Sequence, residues 1–394
     1  MLRKEKHTPG SISGQDVESS NTLVAQNNST DEQLIYVATQ WQLIWWRFRR
    51  HKAALGGAVF TILIYLVAVF AEFLAPFPPN VHDSKRLYAP PQRLHLLELS
   101  GKVRLDPHVF GYQSEVDPVA YVRIFTVDEE QRIPVRFFVK GEPYKLLGLI
   151  PAETRLFGPV DKTQPMLLFG ADRLGRDVLS RIIYGTRVSM SIGLVGVIIS
   201  LGLGVLLGGI SGYYGRWIDG IIQRTIEFIR SIPTIPLWMG LAAALPMDWP
   251  PLRVYFGITI ILSLVSWTGL ARVVRGRFLS LREEDFVMAA RLYGTSEMRL
   301  IFRHMLPSFT SHIIASITLA IPGMILAETS LSFLGLGLRP PVVSWGVLLR
   351  EAQGVRAVIS APWLLIPAMA VVLTVLALNF LGDGLRDAAD PYSR

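Results

Sequence analysis

Long apolar runs separated by polar segments dominate the pattern along this 394-residue chain. A helix needs about 20 apolar residues to cross a hydrocarbon core of roughly 30 Å. Runs of about that length occur at residues 54–75, 184–211, 221–245, 252–271, 313–336 and 362–381. The pattern predicts an all-α polytopic membrane protein with six transmembrane helices. Six spans place both termini on the same side of the membrane.

The segments around the first span have signatures of their own. Residues 1–35 are rich in Ser, Asn and Gln, which predicts a disordered tail. Residues 36–53 combine arginines with an aromatic stripe, which predicts an amphipathic helix in the membrane interface; the alternative is a continuation of the first span. The stripe consists of Trp41, Ile44, Trp45 and Phe48. Residues 76–168 contain short β-forming runs, broken at residues 128–131 and 141–143, which predict a small β-rich insert.

Arginine and lysine residues set the predicted orientation. They precede the first span and crowd into residues 272–303, and short loops rich in these residues stay on the cytoplasmic side. We therefore expect both termini and residues 280–307 to be cytoplasmic, with the insert and residues 339–361 external. The net charge of +8 follows from this bias. No soluble basic domain is present in the pattern, so we expect no nucleic-acid partner.

Motifs for catalysis or metal binding are missing from the sequence. A nucleotide-binding loop would end in Gly-Lys-Ser or Gly-Lys-Thr, but Gly101 and Lys102 are followed by Val103. The spacing of the histidines in the insert fits no metal-ligand pair, and the chain contains no cysteine. We therefore predict no catalytic residue, no metal site and no cofactor.

Residues 280–307 are amphipathic but too short to span a membrane. Ser280 and Glu283 have the spacing of a capping box for a first helix, and acidic Glu284 and Asp285 suit its positive end. Gly294 would end this helix in a left-handed conformation. Phe286, Ala289, Ala290 and Tyr293 would share one side of it.

A second short helix is predicted after Gly294. Thr295 would cap it and Pro307 would close it before the next span. Its apolar stripe consists of Met298, Ile301, Phe302 and Met305, with Arg299 and Arg303 on another face. Amphipathicity alone leaves two alternatives of nearly equal weight, a solvated loop and a docking interface.

Polar residues and prolines within the predicted spans are candidates for a translocation pathway. Glu328 lies in the fifth span, where a charged carboxylate avoids lipid; it either lines a pathway or gate, with Ser330 and Ser332, or is a hydrogen-bonded packing residue. Pro233 and Pro236 interrupt the third span and predict a kink that shapes a cavity.

The spacing Ala289-Ala290, Gly294, Leu306-Pro307 resembles the signature of the inner-membrane permeases of ATP-binding-cassette importers. Met288 stands in place of the usual glutamate and His304 in place of the usual isoleucine. Residues 169–193, 328–346 and 379–391 are similar to segments of the second, C-type permease of the oligopeptide, dipeptide and nickel branch; they read FGADRLGRDVLSRIIYGTRVSMSIG, ETSLSFLGLGLRPPVVSWG and NFLGDGLRDAADP. Together these matches cover about residues 165–394.

The resemblance implies a type I importer fold, with residues 169–394 as a permease core of five spans. Residues 280–307 would be coupling helices, and the ATPase-coupling residues would be Glu284, Asp285, Ala289, Ala290, Gly294, Arg303, Leu306 and Pro307. The implied partners are a homologous permease, cytoplasmic ATPase subunits and an extracytoplasmic substrate-binding protein, in a bacterial inner membrane. Oligopeptides or dipeptides are the expected substrate, with oligosaccharides or nickel as alternatives. A secondary transporter or channel is the alternative of another class.

Overall fold

A computed structural model of the protein describes residues 40–98, 104–118 and 123–389. The predicted disordered tail and the first residues of the predicted interfacial helix lie outside these ranges. Among the described residues, five helices are long and apolar enough to cross a membrane. The prediction of an all-α polytopic protein with a small β-rich insert is confirmed.

The first described helix is separate from the first span. Helix α1 (Gln40–Arg50) carries the amphipathic sequence, and α2 (Lys52–Val69) is the apolar helix that follows. His51 between them has an extended backbone, and its Nδ1 accepts the N–H of Ala54 at 3.0 Å to cap α2. Buried Phe48 packs against Ala54, so α1 lies beside the start of α2.

The insert follows the short helix α3 (Ala71–Leu74). Its described strands form an antiparallel sheet in chain order: β1 (His95–Glu98), β2 (Arg104–Val116), β3 (Arg123–Leu146) and β4 (Ile150–Pro159). The predicted breaks at residues 128–131 and 141–143 are wrong, because both segments lie within β3. The strand register shifts there, so bulges take up the extra residues and the strand continues.

The remaining helices follow in chain order. They are α4 (Val178–Tyr214), α5 (Arg216–Ser231), α6 (Thr234–Ala243), α7 (Pro251–Leu281), α8 (Asp285–Leu292), α9 (Glu297–Arg299), α10 (Thr310–Phe333), α11 (Trp345–Glu351), α12 (Val355–Ser360) and α13 (Ile366–Ala389). Between α9 and α10 the chain winds as a π-helical turn, Leu300–Met305, and a 3₁₀ turn, Leu306–Phe309.

The core of the membrane part is built on close contact between α4 and α7. A Cβ added to Gly208 would lie 2.5 Å from the carbonyl oxygen of Ala271, and one added to Gly212 would lie 2.6 Å from Phe278 Cβ. Glycines at these positions let the two helices approach closely, as small residues do in membrane helix pairs.

The predicted third span is not one helix. Residues 221–245 are divided between α5 and α6 at Pro233, which caps α6 and holds Ile232 extended, as proline does to the residue before it. Pro236 makes no kink, because it lies in the first turn of α6, where backbone N–H groups have no helical partner.

Helices α5 and α6 lie beside α4 and α7. Asp219, near the start of α5, bonds to Ser211 and Arg275 near the ends of α4 and α7. Farther along, Ile226 packs with Trp267, and Leu245 after α6 approaches Gly257 near the start of α7. The segment therefore runs antiparallel to both long helices, in two pieces.

Candidate functional site

The turn between α7 and α10 contains the predicted coupling residues. Helix α8 begins after Glu284, whose backbone is extended, with Asp285 in its first turn. Gly294 follows the helix with a φ of +71°, and the N–H of Thr295 donates to the carbonyl of Ala290 at 3.1 Å. This left-handed glycine end of the first short helix is as predicted.

Other predictions for this turn are wrong. Ser280 is not a cap, because α7 continues to Leu281: Phe278 and Val274 are buried on the same side and hold the helix in place. The second short helix is capped by Ser296, not Thr295, and it is not closed by Pro307. Pro307 lies within the 3₁₀ turn that leads directly into α10.

One face of the turn is fixed to the membrane helices. Val287 of α8 and Leu300 and Met305 of the π-helical turn are buried in one cluster with Phe278 and Phe309. The cluster joins the turn to α7 and α10.

The opposite face of the turn is apolar and exposed. Leu292 is 89% exposed and Tyr293 is 91% exposed, and Met288, Met298 and Phe302 are also exposed. Large exposed apolar patches on a protein mark interaction sites. The basic loops predict that this end of the molecule is cytoplasmic, and on that expectation we call Met288, Leu292, Tyr293, Met298 and Phe302 the cytoplasmic patch.

The predicted coupling residues fall on both faces of the turn. Glu284, Asp285, Ala289, Gly294, Arg303 and Pro307 are exposed, while Ala290 and Leu306 are partly buried against the apolar cluster. The predicted stripe of the second helix is split, because Ile301 and Met305 are buried whereas Met298 and Phe302 are exposed.

Glu328 is fully buried at the other end of the membrane part. Hydroxyl groups of Ser332 and Ser344 donate to its Oε1 at 2.8 and 2.7 Å, and that of Ser189 donates to its Oε2 at 3.2 Å. Ser344 caps α11, and Ser189 accepts the N–H of Trp345 at 3.2 Å. This geometry supports the packing alternative for Glu328, because its oxygens hold α4, α10 and α11 together. Ser332 belongs to this network, and Ser330 is partly buried.

A buried ionic cluster at the same end was not predicted. Arg176 bonds to Asp172 at 2.7 Å and to Glu351 at 2.8 Å, and Arg181 bonds to Glu351 at 3.0 Å and also to Asp172. The charges balance, as buried ionic groups require. Glu351 ends α11, so this helix is held at its start by the Glu328 network and at its end by the cluster.

Asp177 lies beside the ionic cluster and caps α4. Its Oδ2 accepts the N–H of Ser180 at 2.8 Å, but burial raises the pKa of Asp177 to about 6 in spite of that hydrogen bond. The ionised form of this carboxyl group is therefore less favourable in the folded protein than in the unfolded chain.

A groove of about 360 Å³ lies between α4, α7 and α10, halfway along these helices. Ser200, Ser266 and Ser316 supply hydroxyl groups to its wall, and the rest of the wall is mostly apolar. Neither Pro233 nor Pro236 lines this groove, and neither does Glu328. The predicted pathway residues and this groove are therefore in different places.

Two family models match the chain. "Binding-protein-dependent transport system inner membrane component" matches residues 204–394, and "N-terminal TM domain of oligopeptide transport permease C" matches residues 39–91.

Several relatives have names that state a cargo. A putative peptide permease protein of Brucella ovis is 41% identical over 224 residues, which cover 57% of this chain and 72% of the relative. The dipeptide transport system permease protein DppC of Bacillus subtilis is 39% identical over 57% of this chain and 69% of the relative. The glutathione transport system permease protein GsiD of Escherichia coli is 32% identical over 90% of this chain and 91% of the relative.

Proposed function

Because this chain belongs to the family of binding-protein-dependent transport system inner membrane components, in the oligopeptide and dipeptide branch, we propose that it forms one half of a peptide pathway driven by separate ATPases. The chain is a multi-pass permease subunit of an importer and is not itself an enzyme. The other half of the pathway would be a homologous permease, and an extracytoplasmic binding protein would deliver the substrate.

The cytoplasmic patch is the observation that carries this proposal. Leu292 and Tyr293 are almost fully exposed at the end of a short helix, and an exposed apolar helix face fits a groove on another protein. The ATPase is the proposed occupant, and the patch would face the cytoplasm. Arginines around it set that orientation, because short basic loops stay on the cytoplasmic side.

The coupling step follows from the buried face of the same turn. When ATP closes the ATPases, the patch would move with them. Val287, Leu300 and Met305 would pass this movement to α7 and α10, because they are packed against residues of both helices. The groove between α4, α7 and α10 would then change shape, so we propose it as this subunit's share of the pathway.

Peptides are the proposed substrate because the relatives named above are peptide, dipeptide and glutathione permeases. A groove wall that is mainly apolar with a few hydroxyl groups suits a cargo of variable side chains and a constant polar backbone. Oligosaccharides and nickel are the alternatives within the same machinery.

Reconstitution tests the proposal. The chain, its partner permease and its ATPases are placed in liposomes, and ATP hydrolysis and uptake are measured with binding protein loaded with dipeptide, oligopeptide, oligosaccharide or Ni²⁺. Peptide-stimulated hydrolysis with uptake that requires ATP is the expected result. Stimulation by oligosaccharide or Ni²⁺ alone would overturn the choice of substrate. Uptake driven by an ion gradient without the ATPases would indicate a secondary transporter.

A further inference from the structure

The β3–β4 hairpin of the insert ends in an exposed apolar tip. The tip consists of Leu147, Gly148, Leu149 and Ile150, in which Leu149 is 80% exposed and Ile150 is 61% exposed. Exposed loop ends are usually polar, because they face water. We call these four residues the hairpin tip.

The backbone angles of the tip are unusual for an apolar residue. Leu147 has a φ of +51° and Gly148 a φ of +76°. Glycine, asparagine and aspartate are the usual residues with such backbone angles, and a leucine there is uncommon. An asparagine would suit both the turn and contact with water better, so the leucine indicates that this position meets an apolar surface.

The hairpin tip lies beside the outer end of the first span. The backbone of Leu147 lies beside the carboxylate of Glu72 in α3 and contributes to lowering the pKa of that group. The same carboxylate binds Arg187, whose Nε donates to the carbonyl oxygen of Ala68 at 2.7 Å and whose Nη2 donates to that of Val69 at 2.9 Å. Leu147 is therefore held close to the last turn of α2.

This end of α2 coincides with the edge of the hydrocarbon layer. The 18 residues of α2 extend for about 27 Å, which is close to the thickness of roughly 30 Å of a bilayer core. Exposed Ile62, Leu66, Val69 and Phe70 carry an apolar surface along the helix to its outer end. The hairpin tip continues that surface at the level where aromatic residues are enriched in membrane proteins.

Neighbouring side chains have the character of a membrane-interface site. The Phe138 ring of β3 lies 6.3 Å from the Phe73 ring of α3, and exposed Lys145 flanks the tip. Apolar and aromatic side chains together with lysine are typical of segments that bind at the level of lipid headgroups.

We infer that the hairpin tip inserts into the outer interfacial layer of the lipid bilayer beside the first span. The insert is then anchored twice, by its chain connections to the helices and by this contact with lipid. A lipid surface is its partner, and the external binding protein is the competing occupant.

A single-cysteine experiment tests this inference. The natural chain contains no cysteine, so Leu149→Cys introduces a unique site for an environment-sensitive fluorophore. The labelled full chain is reconstituted into bilayers, with and without lipids brominated in the upper part of their acyl chains. Ile150→Cys is a second site in the tip, for the case in which the first variant folds poorly.

Val127→Cys is the matched control. Val127 is an exposed residue of β3 with 58% exposure, two positions from Phe125, which packs with Ala171 just before α4. Arg187, at the level of the outer end of α2, comes nine residues after the start of α4 at Val178. The start of α4 is therefore about 13 Å from the level of Arg187, and Val127 lies on the part of β3 that packs near that start, away from the tip.

Brominated lipids are expected to at least halve the emission of the Leu149 label and to leave the Val127 label unchanged. Equal emission of both labels in the two kinds of bilayer would overturn the inference. A Leu149 label that is insensitive to lipid but changes its emission when the binding protein is added would also overturn it, because the tip would then dock on protein.

Discussion

Truncation of Leu292 to alanine is expected to weaken the binding of the ATPase without weakening the fold. In the permease chain this side chain is almost fully exposed, and surface substitutions of this kind change stability by less than about 0.5 kcal/mol. In a groove of the ATPase the leucine would become buried, which contributes about 1.5 to 3 kcal/mol.

The burial energy lost on truncation sets the expected change in Kd. A loss of about 2 kcal/mol on truncation corresponds to a Kd that is roughly 30-fold higher. The assay titrates purified ATPase against the permease pair in lipid nanodiscs, and the thermal unfolding midpoint of each variant is measured in parallel.

Two variants serve as controls. Ile359→Ala removes an apolar side chain that is 76% exposed on α12, at the opposite end of the molecule, and should leave the Kd unchanged. Val287 lies on the same helix as Leu292 but is buried, so Val287→Ala should lower the free energy of unfolding by about 1 to 3 kcal/mol. If Leu292→Ala binds the ATPase with a Kd within about twofold of the natural chain, the cytoplasmic patch is not the ATPase contact.

The remaining predictions concern Gly294, Glu328 and Asp177. A Cβ at Gly294 meets no neighbour within 4 Å, so Gly294→Arg costs about 1 to 2 kcal/mol for its positive φ; it should remain in the membrane but hydrolyse ATP without uptake, and normal ATPase copurification with normal uptake would contradict this. Glu328→Ala leaves three serine hydroxyl groups without their acceptor, a loss of about 3 kcal/mol, whereas Glu328→Gln keeps one oxygen and should lower the unfolding midpoint less; equal shifts would argue against the packing role. The raised pKa of Asp177, about 6, means that the folded protein holds a proton that the unfolded chain releases near pH 4, so stability should decrease as pH rises from about 4 to 6. Asp177→Asn keeps an acceptor for the Ser180 N–H, and its stability should not decrease over this pH range. Identical slopes of the unfolding midpoint against pH for the two proteins would show that Asp177 does not cause the decrease.

Local sequence patterns predict the features that a few neighbouring residues decide. Five of the six long apolar runs form spanning helices, because every backbone polar group must be satisfied inside lipid; the other, residues 221–245, is divided at Pro233. Gly294 was identifiable because a left-handed residue at a helix end favours glycine. The β-forming runs of residues 76–168 indicated the sheet, but they could not show that β3 passes through two bulges.

Contacts between segments far apart in the chain determine the features that the sequence patterns did not predict. Ser280 has the sequence pattern of a cap, yet burial of Phe278 keeps it within α7. In the ionic cluster, Arg176 and Arg181 bind both Asp172 and the distant Glu351, and no local sequence pattern predicts a contact between segments so far apart. The groove between α4, α7 and α10 is likewise formed by three separate segments.

The π-helical turn between the cytoplasmic patch and α10 changes the rotation of the chain about the helix axis. Its hydrogen bond from the Leu306 N–H to the Ile301 carbonyl spans five residues, where an α-helix spans four. Buried Leu300 and Met305 are five positions apart, while buried Ile301, Met305, Phe309 and Ile313 follow at intervals of four. One extra residue is thus accommodated without leaving the buried face, and the chain before it is turned by about 100° relative to an unbroken α-helix. The direction in which the cytoplasmic patch points therefore depends on the one extra residue in the π-helical turn.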